Sequence, residues 1–293
     1  MAIFNMVGGG GFKSLGMKWL NCSTIPYNFY IGSAVVLNDE IHIFGTSAAS
    51  SGGINPRRNH YKWDGSNWTS VSTLPYDFNG GSAVVLNDEI HIFGSIFSDD
   101  SRKHYKWNGS TWTNLSGLPY NFSRGSAVVL NDEIHILGGS DADGHATYNH
   151  SKWDGSSWKS VSPLPYVFNG GPAVVLNNEI HILHGVNPDD SRKHYKWNGS
   201  TWTSVSALPY DFAGNTAVVL NNEIHILGTA SSGEYKKHYK WDGSSWTSVS
   251  TLPYDFLFSS AVALNNEIHI LGGDSNASDK TNHYAYVNTY IKA

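Results

Sequence analysis

Cysteine, charge and long apolar runs are all scarce in this chain, and each shortage removes a class of protein. Cys22 is the only cysteine among 293 residues. No intramolecular disulfide can form, so the fold must hold by packing alone, as suits a protein made in a reducing bacterial cytoplasm. Charged side chains make up only 15%, with a net charge of −5 and a pI near 6.2. Without a basic field the chain is not expected to bind nucleic acid. No window approaches the roughly 18 apolar residues of a membrane span, which argues against membrane insertion. The opening MAIFNMVGGGGFKSLG has no basic segment ahead of an apolar one, so no secretory signal peptide is expected. Catalytic signatures are missing too. There is no G-x-S-x-G, H-E-x-x-H or phosphate-cradling loop, and no nucleophile stands beside an evident base. The expectation is a non-catalytic protein that needs no cofactor.

Aromatic residues (13%) and glycines (30) are plentiful, which suits many short strands joined by tight turns. They fall in a repeat. Residues 60 to 78 read HYKWDGSNWTSVSTLPYDF and residues 238 to 256 read HYKWDGSSWTSVSTLPYDF, differing only at Asn67 against Ser245. The (L/I)PY corner recurs six times, with its proline at 26, 75, 119, 165, 209 and 253, spaced by 49, 44, 46, 44 and 44 residues. Each corner is followed by an A-V-(V/A)-L-N-(D/N)-E-I-H-I block, beginning at Ala34, Ala83, Ala127, Ala173, Ala217 and Ala261. A period in the mid-forties with several strands per unit is that of a β-propeller blade.

Within one unit, Ser82 to Leu86 reads as a strand, Asn87-Asp88 as a two-residue hairpin turn and Glu89 to Phe93 as the returning strand. His104 to Trp107 predicts a third strand, Asn108-Gly109 a second two-residue turn, and Thr111 to Leu115 a fourth strand. The expected fold is all-β: a six-bladed β-propeller of four-stranded antiparallel blades. Its strands are apolar on both sides because each blade is covered by a neighbour on either face. The ends supply an independent check. The last copy stops at HYAYVNTYIKA without a fourth strand, while Trp19 lies seven residues before Pro26, as Trp68 lies seven before Pro75. The last blade is therefore expected to be closed by the N-terminal strand, which removes two open sheet edges. The expected division is a flexible Gly-rich head or tether at 1–16 and the propeller at 17–293.

The repeat resembles the kelch repeat in its A-V-V…E-I-H-I-(F/L)-G hairpin, its aromatic-turn-Trp segment and its Leu-Pro corner, over roughly residues 17 to 290. That resemblance implies the propeller fold and leaves function open, because kelch-like propellers range from scaffolds to enzymes. The chain departs from the kelch pattern in two ways. The double glycine stands only at Gly138-Gly139 and Gly272-Gly273, and the usual tyrosine before the second hairpin is Trp63, Trp107, Trp153, Trp197 and Trp241. Residues 1–16 resemble the short heads that begin some tail-fibre and tail-tip proteins of phages of Gram-positive bacteria. This implies a place on a virion tail or phage-like particle, with other tail proteins as partners of the head.

Fourteen histidines suggest a metal centre, but twelve of them occupy two repeat positions. His42, His91, His135, His181, His225 and His269 lie in the second strand, and His60, His104, His150, His194, His238 and His283 open the third. Sixfold recurrence indicates packing and hydrogen bonding between blades. Only His145 and His184 fall outside it. Glu40, Glu89, Glu133, Glu179, Glu223 and Glu267 receive the same structural reading. WDGSSW at 153–158 is similar to the Asp box of sialidases, yet Asp154 and Gly155 are adjacent where that motif separates them. Asp141-Ala142-Asp143-Gly144 has the start of a calcium loop without its downstream ligands, so no metal is expected.

In a four-stranded meander, the first-to-second and third-to-fourth turns share one end of the blade. The second-to-third and between-blade loops share the other. The first pair hardly varies here, and the second pair differs in every copy. All five arginines, Arg57, Arg58, Arg102, Arg124 and Arg192, fall in the variable loops or at the start of a third strand. Difference and guanidinium forks on one face predict recognition of a hydroxyl-rich or anionic ligand. The expected contact residues are Tyr30, Arg58, Asp100, Arg102, Arg124, Asp190, Arg192, Lys236 and Phe258. DDSRKHYKWNGST, at 99–111 and again at 189–201, predicts two equivalent subsites. The leading functional reading is a receptor-binding module for a cell-surface glycan or protein receptor on a phage or phage-like tail. An intracellular kelch-type scaffold and a kelch-fold sugar enzyme, such as a mutarotase with an arginine near the channel, are the alternatives.

Overall fold

The computed structural model describes residues 12–46, 55–184, 188–212, 216–228, 235–273 and 279–292. Most of the head (1–11), parts of the variable loops (47–54, 185–187, 229–234, 274–278) and the between-blade loop 213–215 lie outside the described residues. No helix among the described residues is long and apolar enough to cross a membrane.

Two different turns shape each blade. Ser82–Leu86 and Glu89–Phe93 pair from Ser82↔Phe93 to Leu86↔Glu89, leaving Asn87 and Asp88 in the turn at φ 52° and 59°. Two successive left-handed residues match the right-handed twist of the strands, and Asn and Asp tolerate that conformation better than other non-glycine residues. The second hairpin is a correction to the expectation from sequence. Trp107 pairs with Trp112, so the loop has four residues, Asn108 to Thr111, and the fourth strand is Trp112–Asn114. Asn108 Oδ1 accepts hydrogen bonds from the N–H groups of Ser110 and Thr111, both at 3.0 Å, while Gly109 takes φ 97°. Asp and Asn are the side chains best suited to capping their own loop, which explains why the first five blades read Asp-Gly or Asn-Gly there.

The described residues form six four-stranded antiparallel sheets. The first strand of each meets the first strand of the next, and Ser33–Leu37 meets Ser260–Leu264 to complete the circle. The last sheet runs Ser260–Leu264, Glu267–Leu271, Asn282–Lys292 and finally Phe12–Thr24. Trp19 pairs with Tyr286 just as Trp68 pairs with Trp63. The N-terminal strand closes the ring. It begins at Phe12, so residues 12–16, expected in the head, are strand. Beyond Trp19 and Tyr286 the two closing strands continue as a ribbon to Phe12↔Lys292, leaving from the end where other blades make the four-residue loop.

Each apolar cluster belongs to a junction between blades. At one, Val35, Leu37 and Phe44 of the first blade meet Tyr76 and Phe78 of the corner and Ile90, Ile92 and Trp107 of the second. At the seam, Val262, Leu264 and Leu271 of the last blade meet Ile41, Ile43 and Trp63 of the first. Burying each such side chain contributes roughly 1.5–3 kcal/mol.

The histidines complete these junctions by packing, while their hydrogen bonds, expected between blades, join two strands of the same blade. In every blade the second-strand Nδ1 meets the third-strand Nε2 at 2.8 to 3.0 Å. His150 Nδ1 donates to the Ser162 carbonyl at 3.3 Å, which leaves its Nε2 to accept from His135. Rings of the next blade close over the pair: Trp107 lies 5.5 Å from His42 and 5.0 Å from His60. At the seam Trp63 and Trp68 lie 4.7 and 5.5 Å from His283. Burial holds His42, His91, His135, His181 and His225 near a pKa of about 4. Burial, and then the partner imidazole, lowers His60, His104, His150, His194, His238 and His283 to about 3. Neutral rings are the packed form.

Candidate functional site at the channel mouth

The chain enters each blade through a corner tyrosine and a buried phenylalanine two residues later, such as Tyr76 and Phe78, both 0% exposed. The fourth residue after each corner tyrosine is Ile31, Gly80, Arg124, Gly170, Gly214 and Phe258 in turn. The described members of this set are linked around the channel by backbone hydrogen bonds. Ile31 N–H donates to Phe258 (2.7 Å), Gly80 to Ile31 (3.2 Å), Arg124 to Gly80 (2.6 Å) and Gly170 to Arg124 (2.6 Å). Passing through that ring requires left-handed backbone, with φ 55° at Ile31, 64° at Gly80, 54° at Arg124, 73° at Gly170 and 48° at Phe258.

Glycine takes this conformation freely, whereas a residue with a Cβ is disfavoured by roughly 1–2 kcal/mol. A β-branched residue such as Ile31 is a genuine outlier there. Gly80 and Gly170 show that the ring closes without side chains, so ring closure alone does not call for the strained Ile31, Arg124 and Phe258. They line an axial cavity of about 130 Å³ with Ser33, Ser82, Ser126, Ser259 and Ser260 and a set of glycines. One of these, Gly125, is required by close approach, because a Cβ there would lie 2.2 Å from the Phe122 ring. Arg124 and Phe258 stand three blades apart in a ring of six, which sets them across the axis from each other.

The mouth offers several kinds of contact. Phe258 is 45% exposed, giving a bare aromatic face. Arg124 is exposed, and its guanidinium has no ion pair among the described residues. Ser82 Oγ accepts from Ala127 N–H (3.1 Å) and Ser126 Oγ from Ala173 N–H (3.0 Å), which leaves both hydroxyl protons to donate elsewhere. No carboxylate or imidazole lines the cavity among the described residues.

Of the nine contact residues expected from sequence, this cavity brings together Arg124 and Phe258. Tyr30 adjoins it, with Lys280 Nζ 4.4 Å from its ring centroid. The others lie further out in contacts within the chain. Arg58 Nε donates to Asp77 at 2.7 Å. Arg102 and Arg192 donate through Nε to the carbonyls of Leu118 and Leu208, both at 2.8 Å, so the two copied segments are equivalent in bracing their own corners. Lys103 pairs with Asp100 at 2.7 Å, Lys193 pairs with Asp190, and Lys236 reaches Asp255 at 3.9 Å. Ile31 and the serines also line the cavity and were not among the expected residues. Counting four residues on from each corner tyrosine isolates the ring, Ile31 included.

No protein-family model matches the chain, and no curated protein sequence matches it. Among solved structures, that of YjhT is similar over 92% of this chain and 96% of its own, with a TM-score of 0.75 and 16% identity. At that identity the likeness shows the fold alone: a β-propeller.

Proposed function

We propose that the protein is a non-catalytic recognition module whose channel mouth takes a hydroxyl-rich or anionic group of a cell-surface glycan. One observation carries this reading: a guanidinium with no ion pair among the described residues and an exposed phenyl ring are held in strained backbone across one small axial cavity. A guanidinium forks onto a carboxylate or two neighbouring hydroxyls. A phenyl ring covers the C–H face of a sugar, and serine hydroxyls supply further donors. At about 30 Å³ per water, 130 Å³ admits one substituent or the edge of a ring, with the rest of the glycan lying over the rim. Among the described residues the lining has no carboxylate or imidazole, which supports binding over acid–base chemistry on a sugar.

The resemblance of residues 1–16 to phage tail heads supports a place on a tail or phage-like particle. The closing strand enters from the rim opposite the mouth, an arrangement suited to a propeller hung by its head. Weak sites suffice on such a particle, because linking several copies raises avidity by about 10²- to 10⁴-fold. Glycan-array binding and adsorption to bacterial cell walls test the reading. Arg124→Ala is expected to weaken binding at least tenfold with an unchanged melting temperature. A scaffold for intracellular proteins would bind neither array nor wall.

A further inference from the structure

The six junctions also repeat an ion pair, with one exception. Lys62, Lys106, Lys152, Lys196 and Lys240, from the third strand, place Nζ 2.7 to 2.9 Å from the glutamate that opens the second strand of the same blade. The sixth blade keeps the glutamate, Glu267, and replaces the lysine with Ala285, which pairs with His269 as each lysine pairs with its own histidine. The Glu267 side chain is 16% exposed, and His269 Nε2 lies 3.5 Å from its carboxylate. Beside it opens a cleft of about 280 Å³ lined by Asn265, Glu267 and His269 of the last blade and by Asp39, Trp63 and Asp64 of the first. It lies at the seam, on the turn rim opposite the channel mouth, so it stands or falls independently of the glycan reading.

We infer that this cleft binds a small-molecule primary alkylammonium, whose charged group meets Glu267 where the other five blades use their own lysine. Five junctions of the same chain serve as the template, since each shows this glutamate accepting from an ammonium on a four-carbon stem. The cleft adds what such a ligand needs. Asp39 and Asp64 extend the negative charge at its entrance, and the largely buried Trp63 gives its wall an apolar side for an alkyl stem. A carboxylate that is mostly desolvated gains more from a fitted cation than an exposed one does.

Thermal melting of the full chain with n-butylammonium chloride, against sodium and tetramethylammonium chloride at equal ionic strength and pH, tests the inference. A saturable rise of about 2 to 4 °C at ten times the dissociation constant is expected with butylammonium alone. Ala285→Lys should melt higher without ligand and lose the response, because its own amine fills the place. Glu267→Gln should lose the response as well. No butylammonium-specific rise, or a rise undiminished in Ala285→Lys, overturns the inference. The thiol of Cys22 lies within 4.8 Å of ring nitrogens of His269 and His283, which provides a further check. A response to Zn²⁺ but not to the amine, abolished by Cys22→Val, would make the seam a metal site and overturn the inference too.

Discussion

At every blade junction a histidine pair is closed over by aromatic rings of the next blade, whereas the residue four past each corner tyrosine is isoleucine, glycine, arginine or phenylalanine depending on the blade. The junctions bury neutral imidazoles held by hydrogen bonds. The mouth holds isoleucine, arginine and phenylalanine in left-handed backbone beside glycines that take it freely. Repetition in this molecule serves folding, and on the proposed function departure from the repeat serves recognition. Ala285 and Cys22 extend the same logic to the seam, where the last blade abandons two side chains that its siblings share in kind.

The comparison can be broken most severely at the seam. Deleting residues 1–24 removes the outermost strand of the last blade and with it Ser23, whose hydroxyl accepts from Trp68 Nε1 at 2.9 Å. The expected outcome is loss of cooperative melting with aggregation through the exposed edge, read by calorimetry and light scattering. Acid is the next largest perturbation. Above pH 6.5 the junction histidines whose pKa burial depresses, such as His42 and His60, are neutral in both states. As pH falls below 6.5 the unfolded chain takes up protons that the folded chain, with its pKa values near 3 to 4, refuses. Stability is thus fully present above 6.5 and lost as pH falls towards 4, by about 1.4 kcal/mol per histidine per pH unit. Set against a total of roughly 5–15 kcal/mol, a few pairs suffice. Urea titrations at stepped pH should show a steep decline and acid unfolding at a midpoint between about pH 4 and 6.

A single junction is a smaller target. Trp107→Ala uncovers the His42–His60 pair and should cost about 3–5 kcal/mol in urea denaturation, with little change in ligand affinity. The smallest effect has the opposite sign. Ile31→Gly relieves left-handed strain of roughly 1–2 kcal/mol and loses about 0.5–1 to backbone entropy, for a net gain near 0.5 kcal/mol. Destabilisation by Ile31→Gly would mean that the mouth is part of the packing frame and the contrast false.

Much of the frame was legible because strand boundaries follow from residue type. The innermost hairpin of the second blade, Ser82–Leu86 with Glu89–Phe93, stands where alternation and Asn-Asp set it. The outer hairpin misled because adjacent Asp-Gly or Asn-Gly implies a two-residue turn, while the Trp107–Trp112 pairing and the Asn108 side chain close a four-residue one. On the rim, charge pattern places the arginines but not their partners: Arg102 Nε donates to a carbonyl sixteen residues away. The mouth was half legible. Arg124 and Phe258 stood out by type, but left-handed backbone at isoleucine, arginine and phenylalanine runs against their preferences and is invisible without coordinates.

The most direct test is a crystal structure of the protein soaked with an oligosaccharide selected on the array. The account predicts sugar density on the channel axis, with Arg124 forked onto a carboxylate or hydroxyl pair and the Phe258 ring against a C–H face. Density confined to the outer rim beside Arg102 or Arg192, with the mouth unchanged, would contradict it.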